Sequence, residues 1–344
     1  MEQCLVTGGS GYFGSLMVRK LHERGYGVRV LDLHQIEDYP PEVEFIRGDI
    51  RDAKLLEQTC AGVDVIYHTV AYQPLTRDKR LFWSVNVEGT DNLFQAAWRH
   101  KVRKVIHLSS SAVFGVPKHN PFDETVIPAP LEAYGKAKWE AEKRAAKHVS
   151  MGLDITIIRP STIVGPGRLG TFSILFDWVR SGTRLPVLGR GDNRYQFIHT
   201  ADLAHACLLA AEKSGADTFN IGTDRIETMR EMYEAVIQHA SSASRLISLP
   251  MGLTISGMRA LRVLGLSPLG DYHLLMYGRD KIFDVAKARS KLGWIPQYSN
   301  TEMVCEAYDW YCDNYAKLQS EHGGSPNRQL IRQGILQVFK WLLR

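Results

Sequence analysis

Residues Leu5 to Gly14 read LVTGGSGYFG: an apolar run ends in clustered glycines and opens into the apolar-periodic segment Tyr12 to Arg24. Gly9, Gly11 and Gly14 fit G-x-G-x-x-G, and Gly8, Gly11 and Gly14 fit T-G-x-x-G-x-x-G. Glycine turns tightly at positive φ, and a bare Cα lets backbone N–H groups at a helix N-terminus approach a pyrophosphate. A glycine triplet alone is a weak signal. Its place between an apolar strand and a helix makes it a dinucleotide-loop expectation.

The next expected strand is Val28–Leu33, and Asp32 lies eighteen residues past Gly14. An acid there hydrogen-bonds the adenosine ribose hydroxyls and repels a 2′-phosphate. Leu33, His34 and Gln35 supply no arginine to receive one, so NAD is expected over NADP. A strand-capping role is the plain alternative for Asp32, and Arg29 is the nearby cation that bears against the NAD preference.

Apolar strands alternate with helical patterns through the first half, the arrangement of a parallel sheet built from βαβ units. Expected strands are Gln3–Thr7, Val28–Leu33, Val43–Arg47, Val63–His68, Lys104–Ser109 and Asp154–Arg159. Expected helices are Phe13–Arg24, Ala53–Ala61, Phe82–Lys101 and Ala133–Val149, then Phe172–Ser181, Thr200–Ser214, Thr228–Ala240 and Met303–Tyr315. With 344 residues, the expected fold is α/β: a Rossmann-type doubly wound parallel sheet over residues 1–160. Residues 161–317 form a smaller substrate lobe with segments returning to the sheet, and 318–344 a linker and C-terminal helix.

Composition excludes several classes. A net charge of +5 without basic stripes interleaved with aromatics gives no nucleic-acid surface. Five scattered cysteines with no C-x-x-C read as free thiols of a reducing compartment, the cytoplasm, and the histidine spacings suggest no metal. The chain opens on a strand, with no signal peptide expected, and carries no run of eighteen apolar residues. Residues 327–344 combine Arg328, Arg332, Lys340 and Arg344 with nine apolar side chains and no acid. Such a basic amphipathic helix suits either peripheral contact with an anionic membrane or packing on its own domain or a second copy.

Tyr134 and Lys138 lie four residues apart at the start of an expected helix, on one face. A tyrosine pKa is about 10, and a neighbouring ammonium stabilises the phenolate. This pair can serve as a general acid/base for a hydroxyl–ketone interconversion. Upstream, an apolar strand ends in Ser109, Ser110 and Ser111, where a hydroxyl can orient the substrate oxygen. Gly48-Asp49 closes the third strand; Asp49 reaches the adenine edge, or caps a helix or turn.

With these features the chain resembles the extended short-chain dehydrogenase/reductase family from Gln3 to Tyr315. The carriers are TGGSGYFG (7–14), Asp32, Gly48-Asp49, HTVA (68–71), NVEGT (86–90), SSSAVFG (109–115), YGKAK (134–138), RPSTIVGPG (159–167), FIHTADLA (197–204) and FNIG (219–222). The resemblance implies NAD(P) binding, hydride transfer and a homodimer. It implies a catalytic set of Ser110, Tyr134 and Lys138, with Ser111 as the near alternative to Ser110 and Lys138 also holding the nicotinamide ribose. It extends the cofactor cradle from Gly8, Gly11, Gly14, Asp32 and Asp49 to Tyr12, Phe13, Ile50, Ala71 and Ser109, and makes Asn86 structural. His68 and Tyr72 border the cofactor, with a loop-anchor alternative for Tyr72.

Departures narrow the reaction. Sugar dehydratases of this type carry Asp-Glu directly after the catalytic hydroxyl, where this chain has Ser111-Ala112. Epimerases commonly place a phosphate-gripping arginine where this chain has Tyr195, although Arg194 is adjacent. The KIFDVAKARSKLGW segment and the apolar Met251–Met276 stretch look like the 3β-hydroxysteroid dehydrogenase-like branch. The expected substrate is thus a small, lipophilic secondary alcohol or ketone, contacted by Ser111, Tyr72, Arg194 and Tyr195. A nucleotide-sugar 4-epimerase with retained NAD and a non-catalytic NAD-binding sensor are the two rivals.

Overall fold

The computed structural model describes residues 1–36, 39–72, 79–263, 276, 278–320, 330, 337, 340 and 341. The first half runs β1 (Gln3–Thr7), α1 (Tyr12–Glu23), β2 (Gly27–Asp32), β3 (Glu44–Arg47), α2 (Ala53–Cys60) and β4 (Val65–His68). It continues through α3 (Lys79–Trp83), a wide turn Ser84–Gly89, α4 (Thr90–Arg99), β5 (Lys104–Leu108), α5 (Ala133–Ser150) and β6 (Ile155–Pro160). The second half comprises β7 (Thr162–Val164), α6 (Phe172–Arg180), β8 (Leu185–Leu188), β9 (Phe197–His199), α7 (Thr200–Ala211), β10 (Asp217–Ile221) and α8 (Met229–His239). It ends with β11 (Leu246–Leu249), α9 (Met251–Val263), α10 (Ala286–Leu292), α11 (Asn300–Asp313) and α12 (Tyr315–Ser320).

Seven strands form one parallel sheet in the order β10-β6-β5-β4-β1-β2-β3. Successive side chains of a strand point to opposite faces, and both faces are covered. Cys4 and Val6 of β1 pack with Met17, Val18 and Leu21 of α1 and with α7, whereas Leu5 packs with Leu56 of α2 and with Leu93 and Phe94 of α4. The winding reverses between β1 and β4. Ligands of open α/β sheets bind outside the carboxyl ends of the strands at such a reversal.

The glycines are dictated by close approach. Gly8 has φ +76°, a region that L side chains rarely adopt. A Cβ on Gly14 would lie 2.0 Å from the Gly8 carbonyl oxygen. The first turn of α1 therefore packs directly on the loop that leaves β1.

Two helices differ from their sequence expectation. Phe82–Lys101 reads as one helix but divides into α3, the wide turn and α4. Asn86 explains the turn: its amide oxygen accepts from Tyr72 N (2.7 Å) and its amide nitrogen donates to Tyr72 O (3.1 Å), clipping the β4 loop to this point. The helix expected from Met303 begins at Asn300 because Ser299 and Glu302 form a capping box.

Two of the described tail residues, Leu330 and Lys340, touch their own chain. Leu330 pairs with Gly170 and packs on the cluster around Phe176, and Lys340 Nζ lies 2.6 Å from Asp177 of α6. Trp341 is exposed. Most of the Leu318–Arg328 linker, the remainder of 327–344 and residues 264–275 of the Met251–Met276 stretch fall outside the described residues. Among the described residues no helix is long and apolar enough to cross a membrane.

Alanine normally stabilises a helix over glycine by about 1 kcal/mol. Gly14→Ala should reverse that sign and cost roughly 1–3 kcal/mol in urea unfolding, since nothing but backbone can yield. Gly252→Ala, with open space at its Cβ in α9, should leave stability equal or slightly raised. Equal behaviour of the two variants would contradict the close-approach argument.

Candidate active site

The site sits where β5 ends and α5 begins. Helix α5 starts at Ala133 because the Glu132 side chain caps it, accepting from Tyr134 N (2.7 Å) and Gly135 N (2.6 Å). Strand β5 leads through Ser109 and Ser110 into a short tight turn, Ser111–Phe114. Ser110 accepts from Ala112 N (3.2 Å) and its hydroxyl also hydrogen-bonds the Tyr134 phenol. Ser110 and Tyr134, expected from the sequence to act together, are thus in direct contact.

Lys138 lies one turn further along α5, with its ammonium 1% exposed and donating to the Leu108 carbonyl (2.9 Å). Burial pushes its pKa down to about 8, against the pull of Glu142. The electrostatics differ from the sequence expectation. Burial pushes the Tyr134 phenol up to about 12; the Ser110 hydrogen bond and the charge of Arg168 pull it down, and Glu132 pushes it up. The cation acting on the phenol is therefore Arg168, because Lys138 is tied to Leu108 and faces Glu142. Arg168 is half-buried, its guanidinium carbon 5.5 Å from the centre of the Tyr12 ring. Tyr12 in turn donates to Pro166 O (3.1 Å).

Glu142 anchors this end of the helix. It takes a two-pronged pair from Arg159 of β6 (2.6 Å and 3.0 Å), and Ser109 donates to the same carboxylate (2.5 Å). All three residues are buried. The placement of Ser109 on the cofactor side is corrected here: its hydroxyl points into this ion pair within the core.

At the glycine loop, Ser10 N donates to Asp32 Oδ2 (3.0 Å), and His34 N to Oδ1 (3.4 Å). Burial raises the Asp32 pKa, opposed by those backbone donors. The carboxylate thus lies at the end of β2 against the loop, as a ribose-binding acid requires. Asp49 instead holds its own turn, accepting from Arg51 N (2.9 Å), Nε (3.0 Å) and Nη2 (2.5 Å), which keeps its carboxyl below the usual range. Asp52, not Asp49, caps α2. Ile50 and Phe13 are buried in the two core clusters, and Ala71 is half-buried beside Tyr72.

His68 is a core residue, not a cleft residue: it bonds Thr7 (2.7 Å) and Thr90 (2.9 Å), and burial drives its imidazole down to about 3. Tyr72 meets Phe82 edge-on at 5.8 Å, and Phe82 meets Tyr134 at 6.4 Å, so an aromatic wall runs up to the phenol. Ser111 and Tyr195 converge as well, both reached by the buried Lys281. Arg194 does not converge. It is exposed, and its charge falls on Glu231 near the start of α8. The sequence reading missed Arg168, Glu142 and Lys281. Only folding brings Arg168 to act on Tyr134, Glu142 to Arg159 and Lys281 to Ser111.

Residues 4–222 match the model described as the NAD dependent epimerase/dehydratase family. The chain is 45% identical to an uncharacterized protein of Sinorhizobium fredii, across 100% of this chain and 87% of that one. It is 33% identical to the decarboxylating sterol-4-alpha-carboxylate 3-dehydrogenase of Mus musculus, across 63% of this chain and 61% of that one. The crystal structure of UDP-glucose 4-epimerase from Thermotoga maritima, with UDP-glucose, is similar at a TM-score of 0.77 and 25% identity, covering 91% of this chain and 99% of that one.

Removing one partner of a buried ion pair leaves an uncompensated charge, at roughly 3–5 kcal/mol. Glu142→Gln should cost about that much in urea unfolding, and Arg159→Met combined with it should cost less than the sum of the two single changes. Additive costs would show that the pair does not hold α5 to β6.

Proposed function

The chain belongs to the NAD dependent epimerase/dehydratase family, and from that premise we propose an oxidoreductase that interconverts a secondary alcohol and a ketone on a lipophilic small molecule. The carrying observation is the Ser110–Tyr134 hydrogen bond where β5 ends and α5 begins. Gly8, Gly11, Tyr12, Phe13 and Gly14 would hold the cofactor diphosphate, Asp32 the adenosine ribose, Ala71 and Ile50 the adjoining wall, and Lys138 the nicotinamide ribose. The loop fits that use, since its glycines leave no side chain over the N-terminus of α1. NAD, when bound, takes a hydride from the alcohol carbon or returns it to the ketone.

The protein side chains do the remaining work. Ser110 orients the substrate oxygen, and Tyr134 takes or gives the proton at its phenol oxygen. Burial holds the phenol high in pKa, and the Ser110 hydrogen bond and then the charge of Arg168 counter it. Tyr72 and Phe82 supply an apolar flank, and Tyr195 replaces the arginine that would grip a nucleotide diphosphate. Ser111-Ala112 lack the acids that dehydration needs. The similarity to a UDP-glucose 4-epimerase structure supports a second reading, epimerisation with retained NAD.

Ligand released from gently purified protein, identified by mass spectrometry, would name the substrate class. Turnover of that ligand should release NADH, whereas an epimerase gives no net reduction. General acid–base groups contribute roughly 10²–10⁴-fold to rate. Tyr134→Phe should lose about that much while NADH binding stays near wild type. Full turnover in the variant would remove Tyr134 from the mechanism.

A further inference from the structure

We propose that Tyr39 is a specificity-determining residue at the cofactor end of the cleft: by tying the chain that leaves β2 to Ser10 of the glycine loop, it keeps a 2′-phosphorylated dinucleotide away from Asp32. This deepens the NAD-dependent reading above and rests on it.

The placement of Tyr39 is set by its neighbours. It precedes Pro40 and Pro41, and a residue before proline is held in extended backbone. Val43 N then donates to Pro40 O (3.0 Å), and the Val43 side chain is buried. The Tyr39 ring stands 6.1 Å from that of Phe45 on β3. Its hydroxyl lies against Gly9, where an added Cβ would be 3.3 Å away, and 3.1 Å from Ser10 Oγ. With β2 between β3 and β1 in the sheet, the side chain reaches across the end of β2 to the glycine loop.

Ser10 joins the two loops. Its N–H donates to Asp32 Oδ2 (3.0 Å), and its hydroxyl donates to the His34 carbonyl. His34 N returns to Asp32 Oδ1 (3.4 Å). A serine hydroxyl has one proton. With that proton on the His34 carbonyl, Tyr39 is the donor to Ser10 Oγ. One oxygen of Asp32 is thus held from the glycine loop and the other from its own loop, and Tyr39 locks the two loops together.

The consequence falls on the ribose. Asp32 is the acid that suits the adenosine ribose hydroxyls, and a 2′-phosphate there sets roughly two negative charges beside the carboxylate. An acid on a loose loop turns aside to admit the phosphate; the tie prevents that. Arg29 is not at hand to receive it. Its guanidinium is taken by Glu44 (2.7 Å) and by the carbonyls of Thr59 (2.7 Å) and Ala61 (2.9 Å).

The test titrates the full chain with NADH and with NADPH, follows the fluorescence of the bound nucleotide, and compares the two Kd values. Like charges brought together should give wild type a preference for NADH of about 100-fold or more. Tyr39→Phe keeps the ring beside Phe45 and loses the hydroxyl. It should narrow the preference roughly tenfold, the weight of one hydrogen bond. Ser10→Ala removes the other end of the tie and should narrow it at least as much, and the double variant should go no further than Ser10→Ala. A role confined to stability would weaken both dinucleotides by one factor and leave the ratio unchanged. Should Tyr39→Phe not fold, Ser10→Ala alone decides. An unchanged ratio in Tyr39→Phe, additive effects of the two changes, or a wild type that binds NADPH as well as NADH would overturn the proposal. In that last case the exposed Arg47, which stands opposite Asp32 in β3, would be the group receiving the phosphate. Failure of wild type to bind either dinucleotide would instead refute the NAD-dependent reading, and the proposal with it.

Discussion

Helix α5 is fixed to the sheet by buried polar contacts, and the position of Tyr134 follows from them. Glu142 pairs with Arg159 of β6 and receives Ser109 from the end of β5, while Lys138 donates to Leu108 at the last residue of β5. On its other side Arg144 and His148 of α5 reach Asp91 of α4. Buried charges of this kind add little net stability, but they make alternative placements of the helix costly. The helix N-terminus is thereby brought to Ser110 in a defined register, and the phenol meets the serine hydroxyl.

The electrostatic character of the cleft follows from the same arrangement. Acids of this helix are occupied by the fold: Glu132 by the helix start and Glu142 by the ion pair. Cations are directed inward, with Arg168 acting on Tyr134 and Lys281 on Ser111. The relatives include a sterol dehydrogenase and a UDP-glucose 4-epimerase.

Much of this was legible in the sequence because it is local. The glycine loop, Asp32 eighteen residues on, and the Tyr134–Lys138 pair each declare themselves within a strand–turn–helix or one helical turn. The parallel sheet followed from alternating apolar strands and helices. What stayed hidden depends on long-range closure. Lys281 reaches Ser111 only because its backbone pairs with Tyr195, 86 residues earlier. Arg168 reaches the phenol from a loop whose sequence says only that it turns. The side-chain directions of Ser109 and His68 were misjudged for the same reason: one-residue steps at a strand end decide between core and cleft, and the partners that settle it, Glu142 and Thr90, lie elsewhere in the chain. The break between α3 and α4 was likewise set by Asn86 gripping a distant loop.

The central claim is that one phenol, held by Ser110, faces a dinucleotide laid along the glycine loop. A crystal structure of the protein with NAD tests it most directly. The account predicts the diphosphate over Gly11 at the start of α1 and the nicotinamide ring in contact with Tyr134. A dinucleotide bound elsewhere, or a nicotinamide separated from Tyr134 by the protein core, would contradict it.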